Sequence, residues 1–185
     1  ASGLIGKALT AHLTRTGHQV SRMVRKDRTG PQEVRWDPSQ GILDTEPLEG
    51  LDAVLHLAGE NISEGRWTAE KKRRIRESRI QGTQLLAQSL SRLFDPPKVL
   101  VSVSAIGYYG NRGEEVLDET SDKGSGFLAN VCEEWENATA PAVMRGIRVV
   151  RPRFGMVLSA TGGALALVLP VFRLGIGGRI GNGRQ

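Results

Sequence analysis

Apolar positions along this chain fall into two periods, one suited to helices and one to buried strands. Between Leu4 and Thr16 they recur at Ile5, Leu9 and Leu13, which predicts an amphipathic helix, and Gly17 stands where a left-handed cap would stop it. Gln19 to Val24 reads as a short strand. The run Ala53 to Ala58, AVLHLA, is continuously apolar after Asp52 and predicts a strand buried on both faces. Trp67 to Leu93 predicts a long helix, broken at Pro96-Pro97. Val99 to Val103 predicts a further strand, Gly126 to Ala140 a helix, and Ile147 to Val150 another strand. Strands separated by helices imply right-handed crossovers and a parallel sheet with helices on both faces, an α/β doubly wound fold.

In such sheets ligands lie beyond the carboxyl ends of the strands. The opening Ser2-Gly3-Leu4-Ile5-Gly6 turn leads straight into a helix. Gly3 would let backbone approach a pyrophosphate held by free N–H groups and the helix dipole, and Gly6 would let the helix pack closely on a strand. A plain turn before a helix would read much the same. The discriminating detail ends the second strand. A site for NAD places an acid there to bind the ribose 2′-hydroxyl, whereas this chain has Val24, Arg25 and Lys26. Two cations would pair with a 2′-phosphate, so the cofactor expected is NADP (NADPH); a solvated Arg-Lys pair is the bland alternative. In the long helix, Ile75, Gly82, Leu86 and Leu93 mark the sheet-facing stripe, and Arg79 falls on it. An arginine there needs a partner or must snorkel, and cofactor phosphate or ribose is the partner expected.

Composition narrows the remaining classes. The chain has 185 residues, enough for one domain with a core, and its usage is that of a globular protein. One cysteine, Cys132, leaves no internal disulfide framework and suits a reducing compartment, so a cytoplasmic location is expected. The longest apolar run, Ala164 to Phe172, is interrupted by Pro170 and falls short of the ~20 residues of a membrane helix, so no membrane association is expected. The net charge of +5 raises nucleic acid as a partner, with Lys71, Lys72, Arg73, Arg74 and Arg76 as the densest patch. That patch has no interleaved aromatics to stack bases and reads as a solvated helix face, so no nucleic-acid partner is expected. No His, Cys and carboxylate cluster has metal-ligand spacing. His56, alternating with apolar neighbours, reads as structural, and Trp36, Trp67 and Trp135 as packing residues.

The segments LHLAGENI, SRIQGTQLL, SVSAIGYYG and RPRFGMVLSATGGAL, in this order, together with the glycine turn, resemble the short-chain dehydrogenase/reductase superfamily. More narrowly they resemble its atypical branch, the NAD(P)-dependent epimerase family proteins of undefined substrate. The resemblance implies a Rossmann-like domain over residues 1–185, with Leu57, Ala58 and Gly59 against the adenosine half of the cofactor and Val157 near the nicotinamide. Glu60 and Asn61 would stand at the same rim, facing cofactor or substrate. Active members of the extended subclass use a Tyr-x-x-x-Lys helix with a serine at the end of the fifth strand. Here the matching helix reads Phe127-Leu128-Ala129-Asn130-Val131, and the serine position falls on Ala105, beside Ser104. Tyr108 and Ser104 are the catalytic candidates that remain. Tyr109 reads as packing, and Arg153 or Lys123 as the cation beside Tyr108. Relative to that family the chain is expected to be a fragment lacking the first strand and the C-terminal substrate portion. Its open strand edges would make it marginal, aggregation-prone or strand-swapped in isolation. Two functions follow: an NADP-dependent oxidoreductase or epimerase-like enzyme on a small alcohol, carbonyl or sugar-nucleotide substrate, or a catalytically inactive NADP-binding module with a sensory or structural role. A homo-oligomer is compatible with either.

Overall fold

A computed structural model describes residues 2–26, 30–63, 65–179 and 183, which form two compact units, Ala1–Phe154 and Gly155–Gln185. The first unit opens with helix α1 (Leu4–Arg15), in which Gly6 alone is buried. Gly17 takes a φ of +87° just past its end, as the sequence predicts, and its N–H bonds the Thr14 carbonyl. Strand β1 (Arg22–Val24) is shorter than the predicted Gln19 to Val24, because its ladder extends only as far as its parallel partner β2 (Glu33–Asp37). β2 turns back antiparallel into β3 (Ile42–Leu43), a hairpin with no counterpart in the sequence-based elements. The turn is built by Asp37, whose carboxylate accepts from the N–H and hydroxyl of Ser39, and by Gly41 at a φ of +67°.

The central sheet is parallel, in the order β4 (Ala53–His56), β5 (Val99–Ser102), β7 (Arg148–Val150). β6 (Ser104–Ala105) pairs in parallel with β8 (Arg153–Phe154) just beyond it. Helix α2 (Ala69–Ser91) has Thr68 as N-cap, its hydroxyl accepting the Lys71 N–H. Ile75, Gly82, Leu86 and Leu90 form its buried stripe. Helices α3 (Phe127–Asn137) and α4 (Ala140–Met144) follow; α3 ends three residues short of the predicted Gly126 to Ala140 helix, and α4 has no counterpart among the predicted elements. The core joins Val34, Val54, Leu86, Leu90, Leu100 and Ala142, so the β1–β2–β3 sheet and the central sheet pack on one hydrophobic centre. The α/β doubly wound class with parallel sheets holds.

One expectation for β4 is corrected. The strand is buried on alternate residues, not on both faces: Val54 and His56 point into the core, while Leu55 stays 40% exposed. Among the described residues no element seals the face carrying Ala53 and Leu55. The second unit carries helix α5 (Gly163–Arg173), with Pro170 inside it and no buried residue. No helix among the described residues is long and apolar enough to cross a membrane.

Candidate functional site

The residues predicted for the cofactor lie at the start of α1, beyond β1, beyond β4 and on α2 in the first unit, with Val157 in the second. At the first, Gly3 caps α1 in extended conformation with no side-chain cap bond, and the first turn holds no acid. The first N–H groups of the helix therefore have no capping side chain among the described residues. Ser2 and Gly3 are exposed, Leu4 and Ile5 half-buried, and Gly6 buried. At the second, Val24 closes β1 half-buried and is followed by exposed Arg25 and Lys26. Asp37, at the end of β2, is held below the usual carboxylate range by the Ser39 hydroxyl, and the charge of Arg25 adds to the effect.

The third is the Leu57-Ala58-Gly59-Glu60 rim beyond β4, which one face of α2 clasps. Ser78 Oγ accepts the Glu60 N–H at 3.0 Å, and Arg79 Nη1 donates to the Glu60 carbonyl at 3.2 Å and to Ile75 at 3.1 Å. Lys71 Nζ, buried, meets Glu60 Oε1 at 2.9 Å, and Arg74 stands 3.6 Å from the same oxygen. The Lys71 hydrogen bond, outweighing burial, holds the Glu60 carboxyl below its ordinary pKa. Arg79 also stacks over the Trp135 ring at 5.1 Å, and burial lowers its pKa. Its partners here are carbonyls and an aromatic ring, with its stem on the apolar stripe that the sequence pattern identifies. A Cβ at Gly59 would press on the Arg79 guanidinium at 3.2 Å, so the glycine is what admits that contact.

At the same carboxyl end of the sheet, beyond β5 and β6, residues 106–109 form a single 3-10 turn. Arg153 organises it. Its guanidinium grips Glu136 with two bonds of 2.9 Å, donates to the Tyr109 hydroxyl at 3.0 Å and lies 3.5 Å over the Tyr108 ring. Ser104 Oγ donates to Glu136 at 2.6 Å and is 3% exposed, so its hydroxyl is turned inward. Burial would raise the Glu136 carboxyl, but the bonds from Arg153 and Ser104 win and lower it. Tyr109 is buried, as its packing role predicts, and Tyr108 is half-buried. Lys123 does not join this group: its ammonium pairs with Glu133 at 2.6 Å and with the Asn130 amide oxygen at 3.3 Å. Phe127 packs edge-on to Trp67 at 6.0 Å, and Val131 is buried. Val157 belongs to the second unit, where it is partly exposed. No group of His, Cys, Asp and Glu among the described residues could hold a metal ion.

Sequence reasoning missed Glu136 and Gly124. Glu136 follows Ala129 and Cys132 at helical spacing on α3, so an acid on a buried stripe was a readable signal of the kind that identified Arg79. Gly124 had none: its N–H bonds the Tyr108 carbonyl, and any Cβ there would overlap the Tyr109 carbonyl.

Residues 1–130 match the NAD dependent epimerase/dehydratase family. An epimerase family protein of Mycobacterium bovis is 44% identical over 185 residues, covering 100% of this chain and 61% of the relative. The crystal structure of human epimerase family protein SDR39U1 (isoform 2) with NADPH superposes with a TM-score of 0.83 at 36% identity, over 100% of this chain and 61% of that one. A nucleoside-diphosphate sugar epimerase from Corynebacterium glutamicum gives a TM-score of 0.82 at 41% identity, covering 97% of this chain and 37% of that one. The chain therefore spans about three fifths of the length of the mycobacterial and human relatives.

Proposed function

Because the chain belongs to the NAD dependent epimerase/dehydratase family, we propose that it is the cofactor-binding portion of an NADP-dependent oxidoreductase or epimerase-like protein. Its substrate would be a small alcohol, carbonyl or sugar nucleotide. The observation that carries the choice of NADP is the end of β1, where Val24 is followed by Arg25 and Lys26 in place of an acid. The NADPH held by the human relative supports it. Ser2 to Gly6 would receive the pyrophosphate, Arg25 and Lys26 the 2′-phosphate, and the rim at Leu57, Ala58 and Gly59 the adenosine half. When bound, the cofactor supplies hydride chemistry. The protein's own part is then proton supply, which we assign to the Tyr108 hydroxyl, with Arg153 over its ring and Ser104 fixing Arg153 through Glu136.

A second reading is a catalytically inactive NADP-binding module. It is favoured by Phe127 and buried Val131, which stand where the family's tyrosine and lysine act. The experiment that separates the two is incubation with NADPH and a set of small carbonyl compounds while nicotinamide absorbance is followed. Loss of absorbance supports the enzyme, tight NADPH binding without turnover supports the module, and equal affinity for NADH removes the basis of both.

A further inference from the structure

The basic run on α2 divides in a way its sequence does not disclose. Lys71 pairs with Glu60 at 2.9 Å, Arg73 with Glu70 and Glu77 at 2.8 Å, Arg74 with Glu60 at 3.6 Å and Arg76 with Glu134 at 2.6 Å. Lys72 is different: among the described residues no carboxylate pairs with it, and its ammonium stands 5.6 Å from the centroid of the Phe127 ring. Phe127 in turn meets Trp67 at 6.0 Å with planes at 76°. Trp67 is 40% exposed, yet its indole N–H is fixed by a 2.9 Å bond to the Ile62 carbonyl, so the ring's orientation is set before any ligand arrives. A cation left without a counter-ion beside a partly open, pre-oriented aromatic corner presents charge and apolar surface together.

We propose that Lys72, Trp67 and Phe127 form a substrate-recognition wall, and that the substrate is a flat apolar or aromatic carbonyl compound carrying an anionic group. The assignment rests on the oxidoreductase reading above, which makes the ligand of this wall a carbonyl substrate. The ring of the ligand lies against Trp67 and Phe127, and its anion replaces the missing counter-ion of Lys72. This narrows a substrate open to any small alcohol or carbonyl to one that needs both features.

The test is binding followed by the indole N–H resonance of Trp67 in nitrogen-15-labelled protein, with that resonance assigned by its loss in Trp67→Phe. The probes are 4-carboxybenzaldehyde, benzaldehyde and glyoxylate, titrated without NADPH so that the result stays readable if the protein has no affinity for that cofactor. The carboxylated ring should bind about fivefold more tightly than benzaldehyde, the scale of one exposed ion pair, and glyoxylate should leave the resonance unmoved. Lys72→Gln should abolish that difference, and Lys72→Arg should restore it; Lys72 is exposed, so neither disturbs the fold. Equal binding of the two aromatic aldehydes, no saturable shift with either, or an unchanged preference in Lys72→Gln would each overturn the proposal. So would displacement of the aldehyde by NADP, which would give the wall to the cofactor.

Discussion

Replacing His56 by phenylalanine should remove most of the acid sensitivity of this chain between pH 6.5 and 5. His56 ends β4 with 3% of its surface exposed, faces Trp36 edge-on at 5.6 Å, and its Nε2 has no hydrogen-bond partner among the described residues. Burial penalises the imidazolium and pushes the pKa from 6.5 down to about 4. The unfolded chain therefore takes up a proton that the native one refuses. The stability of the neutral form is fully present above the unfolded pKa and declines as pH falls from about 6.5 towards about 4. A shift of this size is worth about 3 kcal/mol in total, of which about 2 kcal/mol is lost by pH 5. The part of that window above pH 5 lies above the range where Asp37, Glu60, Asp118 and Glu136, all with lowered pKa values, would add most of their own losses. Urea unfolding at pH 7.5 and 5.0, with unchanged m-values, measures the difference. His56→Phe should be nearly flat across the interval, and His56→Gln serves as a second variant without a titrating ring. A flat curve for the unsubstituted chain, or an unaltered slope in both variants, would refute the reasoning.

Three further outcomes follow from the same geometry. Arg25→Ala should cost about 1.5–3 kcal/mol of NADPH affinity and leave NADH nearly unaffected, measured by calorimetry; equal weakening of both would remove Arg25 from 2′-phosphate recognition. Tyr108→Phe should lower any NADPH-dependent turnover by roughly 10²-fold or more at unchanged NADPH affinity, and unchanged turnover would take Tyr108 out of the chemistry. Gly124→Ala should destabilise the chain by about 1–3 kcal/mol in thermal or urea melts, since its Cβ would overlap the Tyr109 carbonyl; a neutral result would mean that the 108–110 turn gives way freely.

The helices and central strands were legible because their signals are long. The periodic stripe of α2 survives 23 residues and several charged interruptions, and it marked Arg79 correctly as an arginine among buried neighbours. The β2–β3 hairpin was legible but not read: Glu33-Val34-Arg35-Trp36-Asp37 alternates polar and apolar residues with the two-residue period of a half-buried strand, and Val34 and Trp36 are the buried positions. The alternation in β4 was hidden, since AVLHLA is apolar throughout and periodicity cannot say which side is covered. At the candidate site, the sequence marked Tyr108, Ser104 and Arg153 individually. Their assembly depends on Glu136, 32 positions after Ser104 and 17 before Arg153, and no local pattern encodes a contact at that separation.

The clasp of α2 on the rim beyond β4 has a consequence for how this chain tolerates change. Ser78 and Arg79 hold the Glu60 backbone from the same helical stripe that buries Ile75, Gly82, Leu86 and Leu90. A substitution far from the rim is thereby wired to it. A methyl group added at Gly82 would meet the Trp36 ring at 3.2 Å and tilt a helix whose earlier turn sets the position of the rim. Selection for affinity would then act on residues that never touch the bound molecule, and a map of affinity-altering substitutions would run along one helix as a line, not close around a pocket as a ring.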